Sequence, residues 1–234
     1  EVQTRGNTDN AQFGRLTIAT HEQFAQPRVS QKMLDDSSIN IEALINDEID
    51  RKLTRDENTA FTVGDGANKP KGFLDFPAWA AFDTYERGAI EQVNSGVSGA
   101  VKADGIIALQ NQLKQEYDAN AVFMLKRATW GDILKLKDGN GNYLLNFEML
   151  PEGAGMILMG KRVLFANDMP IIAADSLSIV YGDFGVGYTI VDRLGIRVLR
   201  DPFTDKPLIK FYTTKRVGGD VTNFEALKIQ KLAA

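Results

Sequence analysis

The chain has 234 residues, 44% hydrophobic and 25% charged, enough for one large domain or two intimate ones around a proper core. Its formal charge of −4 argues against non-specific binding of duplex DNA by the whole surface, which needs an excess of Lys and Arg. Cysteine is absent, which excludes disulfides, catalytic thiols and Cys-type zinc sites, and no apolar run approaches the roughly 20 residues that span a bilayer.

No start Met or leader pattern stands at the front, where residues 1–10 are polar, so the chain reads as a fragment whose beginning has been removed or not observed. Phe13, Leu16 and Ile18 then alternate with polar residues and predict an extended strand, with His21 within or just after it. The cluster Asp35-Asp36-Ser37-Ser38-Ile39-Asn40 is dense in residues that cap helix N-termini. Behind it, Ile41, Leu44, Ile45, Ile49 and Leu53 predict a one-sided helix over 39–58, roughly 30 Å long. Residues 61–74 form a Gly/Asn/Pro loop with an apolar end. A second helix is expected over 102–117, a buried strand over 121–125, and a short helix over 127–136 closed by the turn Lys137-Asp138-Gly139-Asn140-Gly141-Asn142. From Met156 onward the pattern turns to short strands, at 163–165, 177–181, 188–191, 196–199, 208–214 and 225–230. Helices ahead of a strand-rich half give an α+β fold class.

Catalytic signatures fail one by one. His21, the lone histidine, has no partner motif and is assigned a structural or interface role. Asp183-Phe184-Gly185 copies a kinase magnesium tripeptide without the catalytic loop that should precede it, so it is read as a turn. The loop from Gly66 to Phe73 lacks the Gly-Lys-Ser/Thr of a phosphate cradle. Asp138-Gly139-Asn140-Gly141-Asn142-Tyr143 starts like a calcium loop, but Tyr143 stands where Gly is required and Met149 where Glu is required. Gly185-Val186-Gly187 lacks the third glycine of a dinucleotide fingerprint. No catalytic residue, cofactor or metal is assigned.

Taken together, four segments resemble the major capsid proteins of tailed phages with the Hong Kong 97 phage fold. They are Phe13-Gly14-Arg15-Leu16-Thr17-Ile18 leading to Thr20-His21 and then Pro27 to Ser37; Glu57 to Gly66 with Lys69-Pro70-Lys71-Gly72-Phe73-Leu74; Ala128-Thr129-Trp130 with Leu134 to Leu144; and residues 157–170 with Gly182-Asp183-Phe184 and 188–193. The resemblance implies a peripheral domain carrying a long spine helix, an axial domain with a mixed sheet and flanking helices, and an extended loop whose amino-terminal arm is missing here. Implied boundaries are 1–18 for the remainder of the extended loop, 19–75 for the peripheral domain with its spine helix at about 39–58, and 76–192 for the axial domain. Residues 193–221 would return to the peripheral domain as strands, and 222–234 would be the return strand to the axial domain.

The function it implies is a shell subunit, assembling through pentamers and hexamers into an icosahedral-type particle around double-stranded DNA read without sequence specificity. Partners would be copies of itself, the packaged DNA, and portal and other head proteins, with no membrane; the place would be a virion or phage-like particle assembled in a bacterial cytoplasm. Some members cross-link a loop Lys to a strand Asn with a Glu assisting. No Lys precedes Lys32 and residues 208–216 hold no Asn or Glu, so a shell without that bond is expected. Candidate inter-subunit contacts are Arg51, Arg55, Arg193, Arg197, Arg200, Asp201 and Asp205, against the alternative of solvated surface pairs worth roughly 0–1 kcal/mol each. Competing readings are a nanocompartment shell around a protein cargo and, further off, a small hydrolase or binding domain.

Overall fold

A computed structural model describes residues 15–81, 83–144 and 156–233. Two sheets organise the chain. The first is built on one long strand. β1 (His21–Ala25) and β2 (Arg28–Ser30) lie end to end along one edge of β9 (Leu208–Val221), and β8 (Tyr188–Asp201) runs antiparallel along the other. The expected strand at 13–18 is not where pairing begins: 13 and 14 lie outside the described residues, Arg15 to Thr20 carry no strand, and the ladder starts at His21.

Ser30 caps α1 (Gln31–Asp36), its hydroxyl accepting from the Met33 N–H. Asn40 caps α2 (Ile41–Val63), its side chain accepting from the Ala43 N–H, as the run of capping residues foretold. The helix runs beyond 58 to Val63, because Ala60 stays on the buried side and Gly64 closes the last turn by donating to the Ala60 carbonyl. Ile41, Ile49, Leu53 and Ala60 are buried, but Leu44 is 61% exposed. Nine residues from Leu53 is about half a turn out of phase, so Leu44 cannot share that face.

The motif after α2 is glycine-dependent through close backbone approach. Gly72 donates to the Gly64 carbonyl at 2.8 Å, and Asp65 bridges Lys71 antiparallel. A first side-chain carbon at Gly64 would lie 2.2 Å from the Pro70 carbonyl oxygen, and one at Gly72 would lie 2.6 Å from the Thr62 backbone.

The second sheet has six strands in the order β3 (Glu91–Asn94), β10 (Leu227–Lys231), β7 (Leu177–Gly182), β4 (Val122–Leu125), β6 (Lys161–Phe165) and β5 (Ile157–Leu158). It is mixed, with β3–β10 and β4–β6 parallel and the remaining pairs antiparallel. Both faces are covered. Ile179 and Tyr181 join Ile106 and Leu109 of α3 (Ala103–Asn111) and Trp130 and Ile133 of α5 (Arg127–Leu134). Val180 points the other way, into Phe73, Phe76, Ile90 and Leu227.

The helix expected over 102–117 is broken. α3 stops at Asn111, and α4 (Gln115–Asp118) begins after Lys114 adopts extended backbone. The break turns Leu113 into the core, brings Lys114 to Glu225 at 2.7 Å, and sets Asp118 between Tyr181 and Lys161. Those two donors hold the Asp118 carboxyl below its ordinary range, Lys161 contributing most. The two strands expected at 188–191 and 196–199 are one fourteen-residue strand. Gly195, which reads as a turn, falls instead in a stretch of irregular register between Asp192 and Arg197.

A buried ion pair lies inside the second sheet. Lys228 of β10 donates to Glu91 of β3 at 2.6 Å, with both side chains 2% exposed. The other Glu91 oxygen accepts from the Asp83 N–H at 2.9 Å and from the Gln112 amide at 3.1 Å. Glu91→Ala is therefore expected to cost roughly 3–5 kcal/mol by stranding the Lys228 ammonium, while Glu91→Leu with Lys228→Met stays near neutral; urea unfolding of the subunit measures both. Gly72→Ala is expected to cost about 1–3 kcal/mol by overpacking, whereas Gly139→Ala, with open space around it, stays within about 0.5 kcal/mol in the same assay.

Candidate functional site

A group able to do chemistry would need convergent titratable side chains. Among the described residues no cluster of three or more His, Cys, Asp or Glu could hold a metal. Asp138 spends one oxygen on the Asn140 and Asn142 N–H groups, closing its own turn. Asp183 caps a one-turn helix, α6 (Phe184–Gly187), by accepting from the Gly185 N–H. The tempting motifs are thus local structure.

What the molecule offers instead is surface. On β9, Ile209, Phe211, Thr213, Lys215 and Val217 alternate onto the face that α2 covers, where the first three and Val217 are buried. Lys215 reaches Glu57 of α2 at 2.6 Å, with side-chain exposures of 16% and 11%, and lies 3.8 Å from Asp192. Glu57 is the charged residue that the helix buries, and helical periodicity gave no sign of its partner.

On the opposite face of the same sheet, among the described residues, no helix covers Phe24 or Leu199. Cross-strand neighbours point the same way, so the register Phe24–Thr214–Arg197 and the pair Tyr212–Leu199 lie together on it. Phe24 is 66% exposed and Leu199 62%. Neither was singled out by sequence, since a lone aromatic in a short strand reads equally well as core.

The structure separates the proposed contact residues into three groups. Arg51 and Arg55 stand on the outward side of α2, beside a cleft floored by Phe73, Phe165, Phe184 and Tyr188. Arg193 and Arg197 are exposed on β8, without an ion pair among the described residues. Arg200 pairs in register with the buried Phe211 and so points to the α2 side, where it lines a cleft with Asp35 and Glu42 of its own chain. The three arginines therefore do not form one row.

The two acids also serve their own subunit. Asp201 accepts from the Phe203 and Thr204 N–H groups and from the Thr204 hydroxyl, which holds its carboxyl below the ordinary range, the hydroxyl acting most strongly. Asp205 pairs with Arg28 at 2.8 Å, not with the arginines of β8. Between them Phe203 is presented on a fixed turn, 79% exposed. His21 opens β1 opposite Val217.

These differences are measurable on the isolated subunit. Arg55→Ala and Arg197→Ala are expected to leave unfolding free energy within about 0.5 kcal/mol, while Glu57→Ala strands Lys215 beneath α2 and costs about 3 kcal/mol. Chemical denaturation of the three variants side by side checks the ordering.

Comparison with known proteins places this architecture. The family described as phage capsid family matches residues 1–232. The capsid of a native GTA particle computed with C5 symmetry shares 42% identity, covering 100% of this chain and 80% of that one, at a TM-score of 0.92. The capsid of an empty GTA particle shares 42% identity over 100% of this chain and 79% of that one, at 0.91. A structure from Gordonia phage Cozz, 15% identical over 100% of this chain and 78% of that one, has the same fold at 0.63. No curated protein matches.

Proposed function

Since the chain belongs to the phage capsid family, whose members are structural subunits and not enzymes, we propose that it closes into pentamers and hexamers around double-stranded DNA. It is a major capsid subunit that forms a multimeric shell of its own kind, in a capsid or GTA-type particle. The observation that carries the finer reading is the 42% identity to a GTA capsid over the full chain. A shell built from one subunit needs heterologous contacts that close into rings. Surfaces rather than a pocket answer that need: an open sheet face, an outward helix face and a fixed turn.

The proposed peripheral body is residues 19–75 and 193–221 and the axial body 76–192 and 222–234, with the first sheet's β8 already starting at Tyr188. DNA would be held without sequence specificity, since a chain of net charge −4 lacks the excess of cations that grips phosphates tightly. Portal and other head proteins would complete the particle, assembled in a bacterial cytoplasm. The shell would be held without covalent cross-links. Residues 208–216 offer no Asn or Glu, and Glu57, which reaches that strand from α2, is already engaged by Lys215.

The test is to express the full-length subunit and image it by negative stain. Closed shells containing nucleic acid are the expected result, dissociating to monomer-sized bands in boiling SDS. Shells filled by a protein cargo would overturn the DNA reading, a ladder of SDS-resistant oligomers would overturn the non-covalent one, and soluble monomers at high concentration would overturn assembly itself.

A further inference from the structure

Charge is strongly polarised within the first sheet and its helix. Residues 33–50 carry six carboxylates and no Lys or Arg, whereas residues 193–216 carry seven Lys and Arg against two carboxylates. Part of this is settled inside the subunit, by Lys215 with Glu57 and Arg216 with Glu22. The remainder is not: Asp47 and Glu48 on α2 and Arg193 and Arg197 on β8 are exposed and have no ion pair among the described residues.

Arg197 and the helix acids cannot meet within one chain. α2 covers the β9 face that holds Ile209, Phe211 and Thr213. Arg197 stands on the opposite face with Phe24 and Leu199, so the sheet itself lies between the arginine and the helix acids. Each set also surrounds exposed apolar area, Phe24 and Leu199 on the sheet and Leu44 on the helix, at 66%, 62% and 61% exposure. An apolar centre with a charged rim is the anatomy of a specific interface, and here the rims have opposite sign.

We propose that the open face of the four-stranded sheet of one copy docks on the outward, amino-terminal half of α2 of a second copy, Arg193 and Arg197 facing Asp47 and Glu48. The contact is heterologous: each copy keeps one free donor face and one free acceptor face, so it propagates until a ring or shell closes. This rests on the shell-subunit reading and names the surfaces that it joins. Among the described residues no strand pairs with the outer edge of β8, and its arginines guard that edge against strand addition, which favours docking through side chains.

Charge reversal and rescue test it. The full-length subunit is prepared as wild type, as R193E/R197E, as D47K/E48K, and as the combined quadruple variant, with circular dichroism and thermal unfolding confirming that each folds. Particle yield is read by sedimentation and negative stain at matched concentration. Each reversal alone is expected to lower yield at least about tenfold, and the combined variant to recover to within about threefold of wild type. Either reversal assembling like wild type, or a folded quadruple variant that fails to recover, overturns the proposal. If a reversal does not fold, R193Q/R197Q and D47N/E48Q replace it: each should lose yield and blunt the salt sensitivity of assembly, and unchanged salt sensitivity overturns the contact. Wild-type shells that ignore all of these changes sink this contact alone, whereas a wild-type subunit that builds no shell sinks the reading beneath it.

Discussion

The first sheet depends on one strand. β9 supplies hydrogen bonds to β1, β2 and β8 at once, and its alternate side chains are the bed on which α2 lies. A single fourteen-residue strand therefore fixes the register of three others and the position of a 23-residue helix. Because side chains alternate with a period of two, a slip of one residue would turn Ile209, Phe211 and Val217 outward. Their burial against α2 sets the register, and the register decides which residues remain on the open face. Packing on one side of the sheet thus determines the binding chemistry displayed on the other.

The second sheet solves a different problem. It is covered on both faces, and its strands are correspondingly apolar, with buried side chains of β7 pointing alternately to two cores. Into that apolar interior the chain places Lys228 and Glu91. Such a pair contributes little net stability, but it tolerates only one alignment of β10 with β3, since every oxygen of Glu91 and the ammonium of Lys228 has a fixed partner. The nearby Trp79 ring, 4.1 Å from the ammonium, adds to that constraint.

The legible part of this molecule was the part governed by short-range rules. The capping residues before α2, its length beyond four turns, the strand at 122–125 and the α+β class all follow from local chemistry. What was missed depended on distant partners. Leu44 joined the apolar series in sequence, yet it lies on the outer side of the helix and is exposed. Gly195 looked like a strand terminator because nothing local says that β9 is long enough to carry β8 past it. Arg193, Arg197 and Arg200 were grouped only as candidate contacts, and strand alternation sends Arg200 to the opposite face from Arg197. The shell function itself was legible through the pattern of whole segments, since a distributed interface leaves no compact motif.

The position of β10 bears on timing. It is the last strand of the described chain, yet it lies between β3 and β7, which are eighty residues or more apart in sequence and touch it from opposite sides. Until residues 227–231 have left the ribosome, the half of that sheet made of β3 cannot join the half made of β7, β4 and β6. Up to that point the two halves of the sheet remain unjoined. A translation product interrupted before residue 227 would therefore lack the strand that joins the two halves of the sheet.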